Sequence, residues 1–186
     1  MSEHVCPWWL GYFLINPLRR FRQDPGEILS PYVRQGMTVL EPGPGMGYFT
    51  LELARLVGPA GRVVTVDIQA KMLKKLERRA AKQAVLERIE TRLVRKDSME
   101  LSDLKGTVDF ALAFAVVHEL PAASRFFAEV SEALKPGAFL LLAEPRGHIK
   151  QAKFEAELKD AAEAGLNIRN RPAIRSSHSA LLQCSI

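Results

Sequence analysis

From Met37 onwards, apolar and polar positions along this chain alternate between two rhythms. Short runs of aliphatic and β-branched residues predict strands, and stretches with apolar positions three and four apart predict helices. The strands fall at Thr38–Glu41, Arg62–Asp67, Ile89–Val94, Val108–Phe114 and Ala138–Glu144. Helices are predicted over Tyr48–Val57, over Ala122–Leu134 and over Lys153–Ala164. Another starts near Gln69 and sets Met72, Leu73, Leu76 and Ala80 on one face. Gly58, Pro59 and Gly61 mark a turn, as do Lys135, Pro136 and Gly137. The runs centred on positions 64, 111 and 141 are apolar without interruption, as in strands buried on both faces. Strands alternating with helices predict an open, largely parallel α/β sheet. Near the C-terminus, Asn167–Ile174 and Ser177–Gln183 lie too close for a crossover helix, so they should pair antiparallel.

The first residues follow another pattern. Residues 1–30 predict a helical extension broken by Pro7, Pro17 and Pro25. Val5 to Ile15 is almost wholly apolar, yet too short to span a bilayer. Glu3 and His4 precede it where a secretory signal carries basic residues. With Arg19, Arg20 and Arg22 behind it, the run suits a helix packed on the domain, a cover for a substrate cleft, or a membrane-surface contact.

Composition narrows the class. The chain has 186 residues, 47% hydrophobic and 25% charged, which predicts one domain with a sizeable core. A net charge of +5 permits an anionic partner without requiring one. Cys6 and Cys184 stand far apart with no CxxC spacing, so neither a disulfide framework nor a zinc cluster is expected, and a reducing cytoplasm fits.

Chemistry concentrates in Glu41-Pro42-Gly43-Pro44-Gly45-Met46-Gly47, at the end of the first predicted strand. Open α/β sheets bind ligands beyond the carboxyl ends of their strands, and glycine lets backbone approach a ligand closely. Three ligand classes compete. A P-loop needs Gly-Lys-Ser/Thr, and this loop runs into Gly47-Tyr48-Phe49. A dinucleotide loop, GxGxxG, wants its third glycine where Tyr48 stands, although Asp67 supplies the acid that such sites place after the second strand. S-adenosylmethionine has no phosphate and carries an ammonium group. Glu41 suits that cation and would repel a pyrophosphate.

The segment from Glu41 to Gly47 resembles the acidic-x-G-x-G-x-G motif of class I S-adenosylmethionine-dependent methyltransferases. Thr65-Val66-Asp67-Ile68 resembles the family's second motif. Arg95-Lys96-Asp97-Ser98 resembles the segment whose acid faces the adenine, and Leu134-Lys135-Pro136-Gly137 resembles its LKPGG turn, with Ala138 in place of the second glycine. The resemblance covers roughly residues 31–186. It implies a Rossmann-like sheet of seven strands, mostly parallel with the last antiparallel, of the small-molecule methyltransferase type. It also implies S-adenosylmethionine as cofactor, held by Glu41, Gly43, Gly45 and Gly47, by Asp67 and Ile68, and by Asp97, Ser98 and Phe114. Asp67 and Asp97 also suit plain capping roles.

The acceptor site should adjoin Phe114 to Glu119. His118, next to Glu119, is the candidate general base, and a solvent-facing histidine is the alternative. Ala115-Val116-Val117-His118 lacks the Pro-Pro-aromatic motif of base-modifying relatives, so nucleic acid is not expected as the acceptor. Phe114 and Ala115 lack the carboxylates of the magnesium-dependent catechol type, so no metal is expected. Trp8, Trp9 and Tyr12 are expected to wall a small apolar or aromatic acceptor, with residues 1–30 as a lid. Cys6 is expected to be a buried apolar cysteine. Arg146 and His148 either face the acceptor or lie in an exposed loop. The competing readings are a nicotinamide-dependent oxidoreductase and a non-catalytic cofactor- or RNA-binding module, whose basic patch would join Arg169, Arg171 and Arg175 to the N-terminal arginines.

Overall fold

The computed structural model describes residues 23–185, which divide into two compact units at the Arg95–Lys96 junction. Trp8, Trp9, Tyr12 and Cys6 lie outside the described residues.

The first unit begins with a short helix, α1 (Pro25–Leu29). The Asp24 carboxylate accepts from the backbone N–H of Gly26 at 2.7 Å and of Glu27 at 3.4 Å. Pro25, expected to break a helix, instead opens one. Its fixed φ suits the first position, and its missing N–H would have had no partner there. Three parallel strands follow in the order β3-β2-β1: β1 (Thr38–Pro42), β2 (Arg62–Asp67) and β3 (Ile89–Leu93). Glu41 lies opposite Thr65, and Pro42 opposite Val66. Between the strands run α2 (Thr50–Val57) and α3 (Ala70–Lys82). Met72, Leu73, Leu76 and Ala80 of α3 are all buried, as their spacing predicts. Val39, Leu40, Val63 and Val64 are fully buried as neighbours along their strands, so both faces are covered, and each such side chain is worth about 1.5–3 kcal/mol. At Gly61 a Cβ would stand 2.6 Å from the Val57 Cβ and 2.7 Å from the Met37 carbonyl, so only glycine lets this turn close.

The second unit holds β4 (Val108–Phe114), α4 (Ala123–Ala133), β5 (Leu134–Pro145), α5 (Gln151–Glu163), β6 (Leu166–Asn170) and β7 (Ser177–Cys184). Its strands are ordered β4-β5-β7-β6. β4 and β5 are parallel, and β7 runs antiparallel to both β5 and β6, as the C-terminal spacing predicts. β6 stops at Asn170, short of the expected Ile174, because Pro172 lacks the N–H a ladder needs. β5 starts four residues before its expected beginning. Leu134 pairs with Val108, and the register shifts before Phe110 pairs with Phe139, so the Lys135-Pro136-Gly137 turn becomes an irregularity inside the strand. Gly137, with φ +81°, supplies the left-handed residue there. Phe110, Phe127 and Phe154 fill the core with Leu140, Leu141, Leu142 and Leu182.

Candidate functional site

The glycine loop leaves β1 at Pro42 and is tied to β2 at once, because the Gly43 N–H donates to the Val66 carbonyl at 2.9 Å. Gly43, Gly45 and Gly47 take φ values of +65°, +55° and +80°, a region that side chains disfavour. The glycines differ in what lies beside them. A Cβ on Gly47 would stand 3.0 Å from Leu76 Cγ, whereas one on Gly45 would meet nothing within 4 Å. Gly47 therefore lets the loop seat on α3, and Gly45 leaves room for a ligand. Arg79 of α3 donates from Nη1 to the Met46 carbonyl and so holds the loop's tip. Burial lowers the pKa of this guanidinium.

Glu41 lies under the loop, 4% exposed. The Thr50 hydroxyl donates to its Oε2 at 2.5 Å. Burial pushes this carboxyl up to about 8, and the Thr50 bond offsets only part of the rise. A carboxyl so placed gains most from a cationic ligand, which would restore its charge. At the end of β2, Asp67 accepts the Gln69 N–H on Oδ1 at 2.8 Å and so shapes the entry to α3. Asp67 thus closes the turn before α3 rather than capping the helix, whose N-cap is Gln69 with no side-chain cap bond, and Asp67 and Ile68 stand beside the loop that Val66 anchors. A buried acid, an open glycine edge and a second acid one strand over fit the ammonium and ribose of S-adenosylmethionine.

In the second unit, Asp97 is exposed and Ser98 half-buried. Ser98 Oγ accepts from the Glu100 N–H at 3.1 Å and donates to Glu129 Oε2 at 3.4 Å. The Met99 N–H donates to that same carboxylate oxygen at 2.7 Å. Glu129 of α4 thus fixes this segment, a role with no signature in the sequence.

The end of β4 carries the densest chemistry. Half-buried Phe114 pairs with Ala143 of β5. Ala115 then turns with φ +57°, its N–H donating to the Ala143 carbonyl at 2.7 Å. That turn aims two further N–H groups at one atom: Val116 N and Val117 N donate to Glu144 Oε1 at 3.2 and 2.8 Å. The other oxygen, Glu144 Oε2, receives His118 Nδ1. Glu144 is 0% exposed, so every partner it has counts. His118 Nε2 lies 3.9 Å from Glu119 Oε1, and the His148 ring meets the His118 ring edge-on at 5.6 Å. Burial alone would lower the His118 pKa. The Glu144 bond and charge, with Glu119, overcome that and the opposing Lys153 charge, and the pKa is raised.

Lys153 Nζ of α5 donates to the His118 carbonyl at 3.3 Å. Glu157, one turn further along α5, is 4% exposed, and neither carboxyl oxygen has a hydrogen-bond partner among the described residues. The structure thus brings His118 together with Glu144, Glu119, His148, Lys153 and Glu157. Sequence reasoning missed Glu144 and Glu157. The signal for Glu144 was an acid closing the apolar run Ala138–Ala143. Arg146 turns to β7, its Nε donating to the Ser177 carbonyl at 2.9 Å. Arg171 is held by both oxygens of Glu155, each at 2.8 Å.

Residues 34–177 match the family model of a methyltransferase domain. The chain is similar to a protein-L-isoaspartate O-methyltransferase of Triticum aestivum, 29% identical over 86% of this chain and 68% of that one. It is also similar to a demethylmenaquinone methyltransferase of Lactiplantibacillus plantarum, 31% identical over 54% of this chain, and it spans only 41% of that relative. Among solved structures, a SAM-dependent methyltransferase from Aquifex aeolicus matches with a TM-score of 0.84 and 21% identity, over 96% of this chain and 99% of that one. That likeness shows the fold to be the Rossmann-like one, mostly parallel with an antiparallel strand near its end.

Proposed function

Because the chain belongs to the methyltransferase-domain family and is an S-adenosylmethionine-dependent enzyme, we propose that it methylates a small apolar or aromatic acceptor whose nucleophile gives its proton to His118. The observation that carries the proposal is the bond from His118 Nδ1 to buried Glu144. It assigns the ring proton to Nδ1 and leaves the lone pair on Nε2, where an acceptor's proton would arrive. Glu144 makes that lone pair more basic and stabilises the imidazolium that forms.

The other roles follow from chemistry. Glu41 holds the cofactor's ammonium, and Asp67 its ribose hydroxyls. Gly45 admits it, and Gly43 and Gly47 shape the loop. For its adenine end the proposal keeps the residues that the family resemblance implies, Ile68, Asp97, Ser98 and Phe114. When bound, the cofactor supplies an electrophilic sulfonium methyl group. The chain's residues align the nucleophile, exclude water and take up one proton. No metal is assigned a part, since Phe114 and Ala115 occupy the positions from which catechol-type relatives hold magnesium. The proposal takes residues 1–30 as a lid, with Trp8, Trp9 and Tyr12 against the acceptor, on a single methyltransferase domain. It places the reaction in the cytoplasm, as the cysteine usage favours. The demethylmenaquinone relative supports a small acceptor by its name.

Two measurements test this. Calorimetric titration with S-adenosylmethionine and S-adenosylhomocysteine should show micromolar binding that Asp67→Ala abolishes. Labelled-methyl transfer to a panel of phenols, quinols, amines and an isoaspartyl peptide, without metal, should find its acceptor among the phenols or quinols. His118→Gln should then lower kcat with little change in cofactor affinity. Transfer to the peptide alone would overturn the acceptor class, and unchanged kcat in the variant would remove the base.

A further inference from the structure

Glu157 is a buried acid that the reaction proposed above does not use. Both of its carboxyl oxygens are out of contact with water and without a hydrogen-bond partner among the described residues. It shares a face of α5 with Lys153, one turn away, and Lys153 reaches the His118 carbonyl. The charges that act on Glu157 come from Glu144 at the end of β5, from Lys153 and Asp160 on its own helix, and from His118 in the turn after β4. On the other elements that pack against α5, Phe127 and Val130 of α4 and Leu166 of β6 are buried apolar residues. From β7, His178 stacks on Phe154 at 5.5 Å and acts on Glu155 at the opposite, exposed face.

The two buried carboxyls differ in their partners. Glu144 is met by three partners, the N–H groups of Val116 and Val117 and the His118 ring. Glu157 has no hydrogen-bond partner among the described residues, and the Glu144 carboxylate opposes a second negative charge there. We propose that Glu157 is a second proton site coupled to His118: it gives up its proton as His118 gains one, and regains it when His118 is neutral again. This rests on the reading of His118 as the base. The steps balance. The bond from the acceptor to the methyl carbon forms and the methyl–sulfur bond breaks, its electron pair staying on sulfur. The acceptor's proton moves to His118 Nε2, and the Glu157 proton leaves to bulk water when local opening of the cluster lets water reach the buried carboxyl. On reset, the His118 proton returns to the pair and Glu157 is again neutral. The cluster's net charge is therefore the same before and after His118 is protonated, and the new carboxylate supports the imidazolium. Glu157 acts through His118 and is a positioning residue. Burial, and then the Glu144 charge, push its carboxyl up to about 7, within reach of the histidine's own titration.

The test is an NMR titration of the whole chain, free of ligand, from pH 5 to 9. It follows the His118 ring and the Glu157 side-chain carbonyl carbon. In the wild type the Glu157 signal should inflect near neutrality, and the His118 curve should be broader than a single-site curve. In Glu157→Gln the His118 curve should become single-site, with proton affinity lower by about threefold or more. A Glu157 inflection in the ordinary carboxylate range overturns the coupling from the wild type alone, even if the variant fails to fold. So do identical His118 curves in both proteins. Neither readout needs an acceptor, so failure of the methylation panel and failure of this coupling are separate results.

Discussion

His118 Nδ1 is bonded to Glu144 Oε2 across 26 residues of sequence, and the other oxygen of Glu144 takes the N–H groups of Val116 and Val117, from the same turn as the histidine. One carboxylate thus sets the path of the backbone and the orientation of the ring it carries. The pair bears on pH as follows. The folded-state pKa of His118 is raised above its unfolded value, so its contribution to stability is complete below about 6.5 and is lost as pH rises through the folded value. Melting temperatures of wild type and His118→Asn should differ most near pH 6 and converge in alkali. In Glu144→Gln the acid limb of the pH–rate profile should move to lower pH, because the imidazole then binds its proton less tightly.

Glu41 has the opposite balance. Its carboxyl is raised from 4.5 to about 8, so the folded state loses stability as pH climbs between those values, on the order of a few kcal/mol in total. Glu41→Gln should melt higher than wild type at pH 8 and about equally at pH 4. Calorimetry should show the same variant losing S-adenosylmethionine binding. A variant that is both less stable at pH 8 and still binding would refute the role.

The two inner glycines should separate stability from binding. Gly47→Ala forces a left-handed alanine to within 3.0 Å of Leu76, and chemical denaturation should register a loss of about 1–3 kcal/mol. Gly45→Ala shares the unfavourable φ but meets nothing, so its stability loss should be smaller and its loss of cofactor affinity larger.

Arg79 supplies a test of the loop from behind. Its bond to the Met46 carbonyl is charge-assisted, and such bonds contribute about 1.5–3 kcal/mol. Arg79→Met should weaken S-adenosylmethionine binding by about tenfold without touching the cofactor itself. Ligand affinity unchanged in that variant would mean that the loop holds its shape unaided.

Much of this arrangement is legible in the sequence, for identifiable reasons. β2 and β4 match their predicted bounds, Arg62–Asp67 and Val108–Phe114, because each is a mostly apolar run that a glycine, Gly61 or Gly106, introduces. Glu41 and Asp67 stand out because Glu41 leads straight into the glycine loop and Asp67 ends the second strand, where a ribose-binding acid is expected. The start of β5 is hidden, since Pro136 and Gly137 signal a turn while the backbone pairs through them. Glu144 and Glu157 are hidden for a different reason. Whether an acid in a helix or at a strand end is solvated or buried depends on what packs across it, so the apolar run before Glu144 marks its place without showing its partners. Ser98 shows the reverse case: its place in a family motif suggests a ligand, while its hydroxyl shapes the segment through Glu129 and Glu100.

β5 is paired along most of its length on both sides, to β4 and to β7, and Glu144 is its penultimate residue. The acid that orients the histidine therefore rides on a doubly laddered strand, while the histidine rides on a short turn. In hydrogen–deuterium exchange such a strand opens only with the unit as a whole, whereas a turn opens locally and often. Exchange at this site should therefore be faster for the amides of the turn after β4 than for those of β5, with the carboxylate as the fixed partner to which the turn's N–H groups and the ring are bonded.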